Sequence, residues 1–333
     1  MPAPDSRSPC GAGSQAVESN RSPSPGTEPG HFADRLAALV VERRSQVVLG
    51  LDPDPEALWP VALTRPLPAD PASPAELTAA AVVRHGRAAI EAAGPACVAV
   101  KLQLACYERL GAPGWQALAE TASTARDHGL LVIADGKRGD VPVTARAYAQ
   151  ALVGTTAGPY GPVWGLGADA FTASPLLGSD ALEPLTTAAR AVGAGCLCLV
   201  RTSNPGAAEI QDAPAPERPL HERLARLVDQ LGRESVGASG LSSVGAVAGA
   251  TRPELLGRLR DLMPRAVILI PGVGVQGGTV ETLRPAFAPH PAAALVTASR
   301  SIVDAHRSVE GDPAAAARDA AEDLRAATWA LTV

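Results

Sequence analysis

The residues best suited to chemistry gather in one stretch, LLVIADGKRGDV (130–141). It opens as an apolar run, Leu130 to Ala134, of the kind made by a strand buried on both faces. It ends in charge, with Asp135, Lys137, Arg138 and Asp140. Side chains alternate along a strand, so Asp135 and Lys137 project to one side, a carboxylate beside an ammonium at the mouth of a buried element. Asp140 lies beyond Gly139, where the chain has left the strand and can point elsewhere. Taken alone, D-x-K reads as an ion pair at a strand end. Composition argues for more. Of the 29 Lys+Arg only two are lysine, Lys101 and Lys137, and each follows an apolar run. Arginine cannot replace lysine where a compact ammonium must give up a proton. Two lysines kept at two strand ends therefore point to proton chemistry.

The elements that must position these groups alternate regularly. Apolar stretches at 46–52, 96–103, 130–135, 169–174, 195–203, 244–251, 266–272 and 293–300 read as strands. Helical patterns cover 73–93, 114–128, 143–153, 180–192, 219–235, 252–262 and 278–287, with a leading helix over 31–44 and a closing one over 313–330. Ser73 and Pro74 supply a cap and first turn for the helix over 73–93. The Gly-rich stretch 154–167 reads as a loop. Strand–helix alternation implies a parallel sheet, and eight such units imply an α/β fold closed into a (β/α)8 TIM barrel, a single domain over 31–333. A doubly wound open sheet is the alternative. No G-x-G-x-x-G follows the first strand, however, and the Gly-x-Gly at 272–274 comes after the seventh.

A hydrophobic fraction of 46% supports a sizeable core, and an aromatic content of 3% makes that core Ala, Val and Leu. A net charge of −5 gives no footprint for nucleic acid or an anionic membrane surface. No apolar run approaches the ~20 residues of a membrane span. Residues 1–30, rich in Pro, Ser and Gly and lacking an apolar segment, read as a disordered tail and not a secretory signal. The five cysteines read as small hydrophobes of a reducing cytoplasm, since Cys196-x-Cys198 lacks the spacing of a redox or zinc pair. The six histidines are scattered and none closes a strand, so neither a zinc site nor a His-based triad is expected.

In such a barrel the active site lies at the C-terminal strand ends. Those ends carry Asp52, Lys101, Asp135 with Lys137, Ser203-Asn204, the run 272–278, and Ser299-Arg300. PGVGVQGG (271–278) offers backbone N–H groups to an anion, or is merely a tight turn into a helix. Arg300, one strand away, can grip a phosphate in bidentate fashion and favours a phosphate cup after strands seven and eight.

Together these residues resemble the orotidine 5'-phosphate decarboxylase family, in its longer bacterial branch. The resemblance runs from about Phe32 to Val303. It rests on LGLDPDPE (49–56), VAVKLQ (98–103), IADGKRGDVPVTA (133–145), TASPLLGSD (172–180), RTSNPG (201–206), PGVGVQGG and SRSI (299–302). The D-x-K-x-x-D element also occurs in related barrel lyases and aldolases, and alone fixes only a superfamily; the ordered combination is specific. The resemblance implies that Asp135 and Lys137 are the catalytic pair, and that Lys101 contacts ribose and completes a charged array. It implies that Asp140 enters the neighbouring subunit's site, with Thr144 a ribose contact made from the partner. Asp52 would hold a ribose hydroxyl and Ser203 would recognise the pyrimidine. Gln276 and Arg300 match the phosphate grip, with Gly277 and Ser299 beside them in the substrate-binding set. The expected reaction is conversion of OMP to UMP and CO2 in de novo pyrimidine biosynthesis, without metal or cofactor, by a cytoplasmic homodimer with active sites at the subunit interface. Two rivals stay open. One is a metal-dependent sugar-phosphate lyase or aldolase, which would need a carboxylate near the second strand, where Lys101 stands. The other is a non-catalytic phosphate-ligand binding protein, against which retention of both lysines and both aspartates speaks.

Overall fold

Short runs of Val, Ile, Leu and Ala become the strands β1 (Val47–Leu51), β2 (Ala99–Gln103) and β3 (Leu131–Arg138), then β4 (Thr155–Gly158), β5 (Gly161–Trp164) and β6 (Ala170–Ala173). They are followed by β7 (Gly195–Arg201), β8 (Ser242–Ala248), β9 (Ala266–Pro271) and β10 (Ala294–Ala298). This computed structural model describes residues 30–64, 73–214, 218–274, 277–309 and 311–332, so nearly all of the expected tail lies outside the described residues. Eight of the strands close a parallel barrel in the order β1-β10-β9-β8-β7-β6-β3-β2. The open-sheet alternative is thereby set aside. Parallel neighbours need crossovers, and helices supply them.

The helices are α1 (Phe32–Arg43), α2 (Pro60–Leu63), α3 (Pro74–Ala93), α4 (Leu104–Glu108), α5 (Ala112–Asp127) and α6 (Pro142–Leu152). They continue as α7 (Ser179–Ala191), α8 (Ala207–Gln211), α9 (Leu220–Gly232), α10 (Glu254–Leu262), α11 (Arg300–Val303) and α12 (Pro313–Trp329). The start of α3 is a full capping box: the Ser73 hydroxyl accepts from the Glu76 amide, and Glu76 accepts from the Ser73 amide.

Two apolar layers result. Alternate strand residues such as Leu49, Val100, Val132 and Cys196 face outward and pack under the ring of helices. The others, including Val48, Ala99, Ile133, Leu197 and Leu269, fill the barrel, where Phe32, Leu36 and Val40 of α1 join them. Inward positions at the floor are thus apolar, which leaves the opposite end for polar groups.

Three elements depart from the expected pattern. The stretch 154–167 is largely an antiparallel hairpin, β4 with β5, outside the barrel. Its glycines and Pro159 serve the turn, with Gly161 at φ 115°, while Thr155, Thr156, Val163 and Trp164 are good strand residues. After β9 the helical pattern becomes a 3-10 helix, Val280–Phe287, interrupted by Pro285, which has no amide to donate to an α-helical ladder. Strand β3 also runs past Asp135 to Arg138, beyond the end expected from the apolar run.

Candidate active site

The two-residue period of the strands builds the site. On β2, Ala99 in the floor is followed by Lys101; on β3, Ile133 by Asp135; on β6, Ala170 by Thr172; on β10, Leu295 by Thr297. The second residue of each pair lines a cavity of about 350 Å³ at the C-terminal end of the barrel. One step along the same inward row converts packing into chemistry.

The charged groups form an alternating row. The Lys101 ammonium lies 3.2 Å from Asp52 Oδ1 and 2.9 Å from Asp135 Oδ2, and the Lys137 ammonium lies 2.8 Å from Asp135 Oδ1. Lys101 also reaches Gln103 Oε1 at 3.4 Å. Asp135 and Lys101 are buried, whereas Lys137 is 43% exposed and faces the open cavity. Burial pushes the Asp135 carboxyl up, but Lys101 and Lys137 outweigh it and bring its pKa down to about 2. Burial opposes charge on Lys101 too, and the carboxylates of Asp135 and Asp52 more than offset this, so its pKa is raised. Both partners are therefore held ionised.

Lys137 owes its aim to an unusual backbone. Its φ is 49°, in the left-handed region that residues with a Cβ avoid. The β3–β6 register shifts between Ala134 and Arg138, which turns the strand end. Thr172 holds this geometry from the neighbouring strand. Its hydroxyl accepts from the Lys137 amide at 2.9 Å and donates to Asp135 Oδ1 at 2.7 Å.

Across the cavity lie Thr202, Ser203 and Asn204 after β7, Gly272 and Val273 after β9, and Ser299, Arg300 and Ser301 after β10. Glycines let these segments close in. A Cβ at Gly249 would lie 2.8 Å from the Ser203 backbone, and one at Gly50 would collide with the Ser299 hydroxyl.

The family comparison fits this geometry. The model of the Orotidine 5'-phosphate decarboxylase / HUMPS family matches residues 45–320. The orotidine 5'-phosphate decarboxylase of Rhodopirellula baltica is 40% identical over 299 residues, 89% of this chain and 96% of that protein. That of Deinococcus radiodurans is 39% identical over 295 residues, 88% and 95% of the two chains. The chain belongs to the orotidine 5'-phosphate decarboxylase family. Its fold is similar to the solved OMP decarboxylase of Leishmania donovani, with a TM-score of 0.67 at 29% identity over 90% of this chain and 98% of that one.

Of the residues assigned through the family resemblance, the structure brings Asp52, Lys101, Asp135, Lys137, Ser203, Ser299 and Arg300 to one cavity. It does not bring Asp140, Thr144 or Gly277 to that wall within the chain. Asp140 accepts from the Val141 amide at 2.8 Å, and Thr144 is exposed near the start of α6. The Gly277 amide donates to Gly274 O at 2.7 Å and the Gly278 amide to Gly272 O at 3.1 Å. These two amides serve the turn, so the anion-facing use expected of the Gly-rich run does not apply to them. Gln276 lies outside the described residues. Sequence reasoning missed Gln103, Thr172, Thr297 and Ser301. For Thr172 and Thr297 a signal existed: a hydroxyl at an inward position of an otherwise apolar strand. Thr297 Oγ1 is buried with no hydrogen-bond partner among the described residues.

Proposed function

We propose that this chain removes CO2 from C6 of orotidine 5'-phosphate to give UMP, with Lys137 as the group that meets the reacting carbon. The activity is that of a carboxy-lyase of pyrimidine biosynthesis. The observation that carries the reading is the row Asp52–Lys101–Asp135–Lys137 on one cavity wall. Breaking the C6–carboxylate bond leaves its electron pair on a carbon with no adjacent carbonyl to delocalise it. An ammonium fixed at that carbon stabilises the charge as it forms, then donates its proton to C6. Lysine is left neutral and regains a proton from solvent. In this reading Asp135 faces the departing carboxylate and holds the Lys137 ammonium at the reacting carbon through their ion pair. Asp52 and Lys101 hold ribose hydroxyls, Ser203 reads the pyrimidine, and Arg300 with Gln276 grips the phosphate. The phosphate is remote from C6, so its binding energy goes into closing and aligning the site. No metal enters the scheme. Asp52 and Asp135, the carboxylates placed to chelate one, are both bridged by the Lys101 ammonium.

The partner we assign is a second copy of the chain, with Asp140 and Thr144 reaching the neighbouring site. Exposed apolar residues close by in sequence support this, Val143 at 85% beside Thr144 on α6 and Tyr160 on the β4–β5 turn. We place the enzyme in the cytoplasm, where buried free thiols such as Cys97 stay reduced. Burial pushes the Cys97 thiol up to about 12, so it packs as an inert hydrophobe.

Incubation with orotidine 5'-phosphate and EDTA, followed by ultraviolet absorbance, tests the reaction. EDTA-resistant conversion to UMP is expected; a folded protein that is inactive until magnesium and a sugar phosphate are supplied would move it to the lyases. Lys137→Ala should lower turnover by at least about 10³-fold while UMP still binds. Undiminished turnover would remove Lys137 from its role.

A further inference from the structure

The group assigned to the phosphate, Arg300, sits on α11, a helix of four residues. Such a helix has no stability of its own, because the cost of nucleation is spread over too few hydrogen bonds. Its placement must come from tertiary contacts. Ile302 is one, buried in the layer under the helices. Another is at the helix end, where the last carbonyls lack partners within the helix. There the indole N–H of Trp59 donates to Val303 O at 3.0 Å.

Trp59 is itself tightly fixed. It is 1% exposed, in the segment that leaves β1 after Asp52 and leads into α2. Its backbone amide donates to His85 Nδ1 at 3.1 Å, which fixes His85 as the tautomer carrying its proton on Nε2. The two rings meet edge to face with centroids 5.3 Å apart. Below it, α2 is tied down by Arg84, whose Nε donates to Ala62 O at 2.7 Å. β1 and β10 are neighbours in the barrel, and each feeds one side of this contact. Between them a second cavity of about 510 Å³ opens, lined by Asp52, Asp54, His85, Arg300 and Asp304 among others. The two segments touch at Gly50 and Ser299 and part around this cavity beyond that contact. The Trp59–Val303 hydrogen bond ties them together again farther along.

We propose that Trp59 is a positioning residue for the phosphate end of the site: by clasping Val303 it sets where Arg300 stands relative to the Lys–Asp row. His85 supports it by holding the Trp59 backbone. A misplaced Arg300 weakens the phosphate contact, whereas groups acting on the pyrimidine are untouched. The inference rests on the assignment of Arg300 to the phosphate.

Trp59→Phe removes the indole N–H and keeps an aromatic ring. Steady-state kinetics on OMP and on orotidine, the nucleoside without phosphate, read the result. KM for OMP should rise about tenfold, the effect of one lost hydrogen bond on affinity, with any fall in kcat confined to OMP and kcat/KM for orotidine unchanged. An equal loss on both substrates, or an unchanged KM for OMP, overturns the proposal. Arg300→Ala separates this from the underlying assignment: if its KM for OMP stays at the wild-type value, the assignment of Arg300 to phosphate has failed, and Trp59 with it. If Trp59→Phe does not fold, the pair His85→Gln and His85→Leu decides. Gln keeps an acceptor for the Trp59 amide and should behave as wild type on both substrates, while Leu should raise KM for OMP alone. Equal behaviour of the two variants overturns the clasp.

Discussion

Asp135 is the most heavily bonded acid in the cavity, and the least conspicuous of its donors explains most about the site. Lys101 and Lys137 neutralise it, but it is Thr172 that connects its carboxylate to the strained backbone of Lys137. Valine has the shape of threonine without the hydroxyl. Thr172→Val should leave the Lys137 amide without its partner and free the residue to relax from φ 49°. We expect kcat to fall at least about tenfold with KM for OMP little changed, because the ammonium moves and the substrate contacts do not. Thr172→Ser should keep most of the activity. A Val variant with wild-type kcat would show that Lys137 is placed without Thr172. Lys101, Asp135 and Lys137 were legible in the sequence because lysine is so scarce and both lysines follow apolar runs. Thr172 shows in the sequence only as a hydroxyl within an apolar strand; its bonds to Lys137 and Asp135 depend on the register of β3 against β6, which no local pattern states.

Arg260 on α10 shows how the strands that carry the site are themselves held. Its guanidinium is buried and donates to five carbonyls: Met263 at 2.9 Å, Ala266 at 2.7 Å, Ala286 at 2.9 Å, Ala293 at 2.8 Å and, at 3.5 Å, Pro264. These belong to the end of α10, the start of β9, the 3-10 helix and the approach to β10. Burial lowers its pKa to about 10, so it stays charged at neutral pH. One planar fork thus closes the ends of several elements at once, which a lysine ammonium cannot do. Arg260→Met should cost roughly 3 kcal/mol or more, since the carbonyls lose a charged donor and stay buried. Urea unfolding should show a lower midpoint, with kcat per folded molecule unchanged; an unshifted midpoint would mean the carbonyls find other donors. In the sequence Arg260 looked like any arginine on an amphipathic helix. The hairpin β4–β5 was hidden for a related reason. Its Gly and Pro content reads as loop, and the pairing that makes it a hairpin is an interaction between its two arms.

The barrel as a whole was readable, because a repeated alternation of apolar strands with helices leaves few topologies open. The proposed pairing of two copies turns on the rim around Asp140. Neither Asp140 nor Thr144 lines the cavity of its own chain, although they directly follow the strand that supplies Asp135 and Lys137. Val141 caps α6, Val143 lies in its first turn and Tyr160 on the β4–β5 turn that follows it, and all three are exposed. If two copies pair there, a defective Lys137 and a defective Asp140 fall in different sites of a mixed dimer. Lys137→Ala and Asp140→Asn should each be nearly inactive alone. Unfolded together and refolded, they should recover about a quarter of the wild-type activity, because half of the dimers are mixed and each mixed dimer holds one intact site. Sedimentation of the same samples reports whether dimers formed. Mixed dimers without recovered activity would place Asp140 in its own subunit's site, and full activity of Asp140→Asn alone would place it outside the reaction. Val143→Arg adds a charge to the apolar contact and should shift the wild-type background toward monomer, lowering activity most at low protein concentration. A concentration-independent activity in that variant would argue that Val143 lies off the contact between subunits.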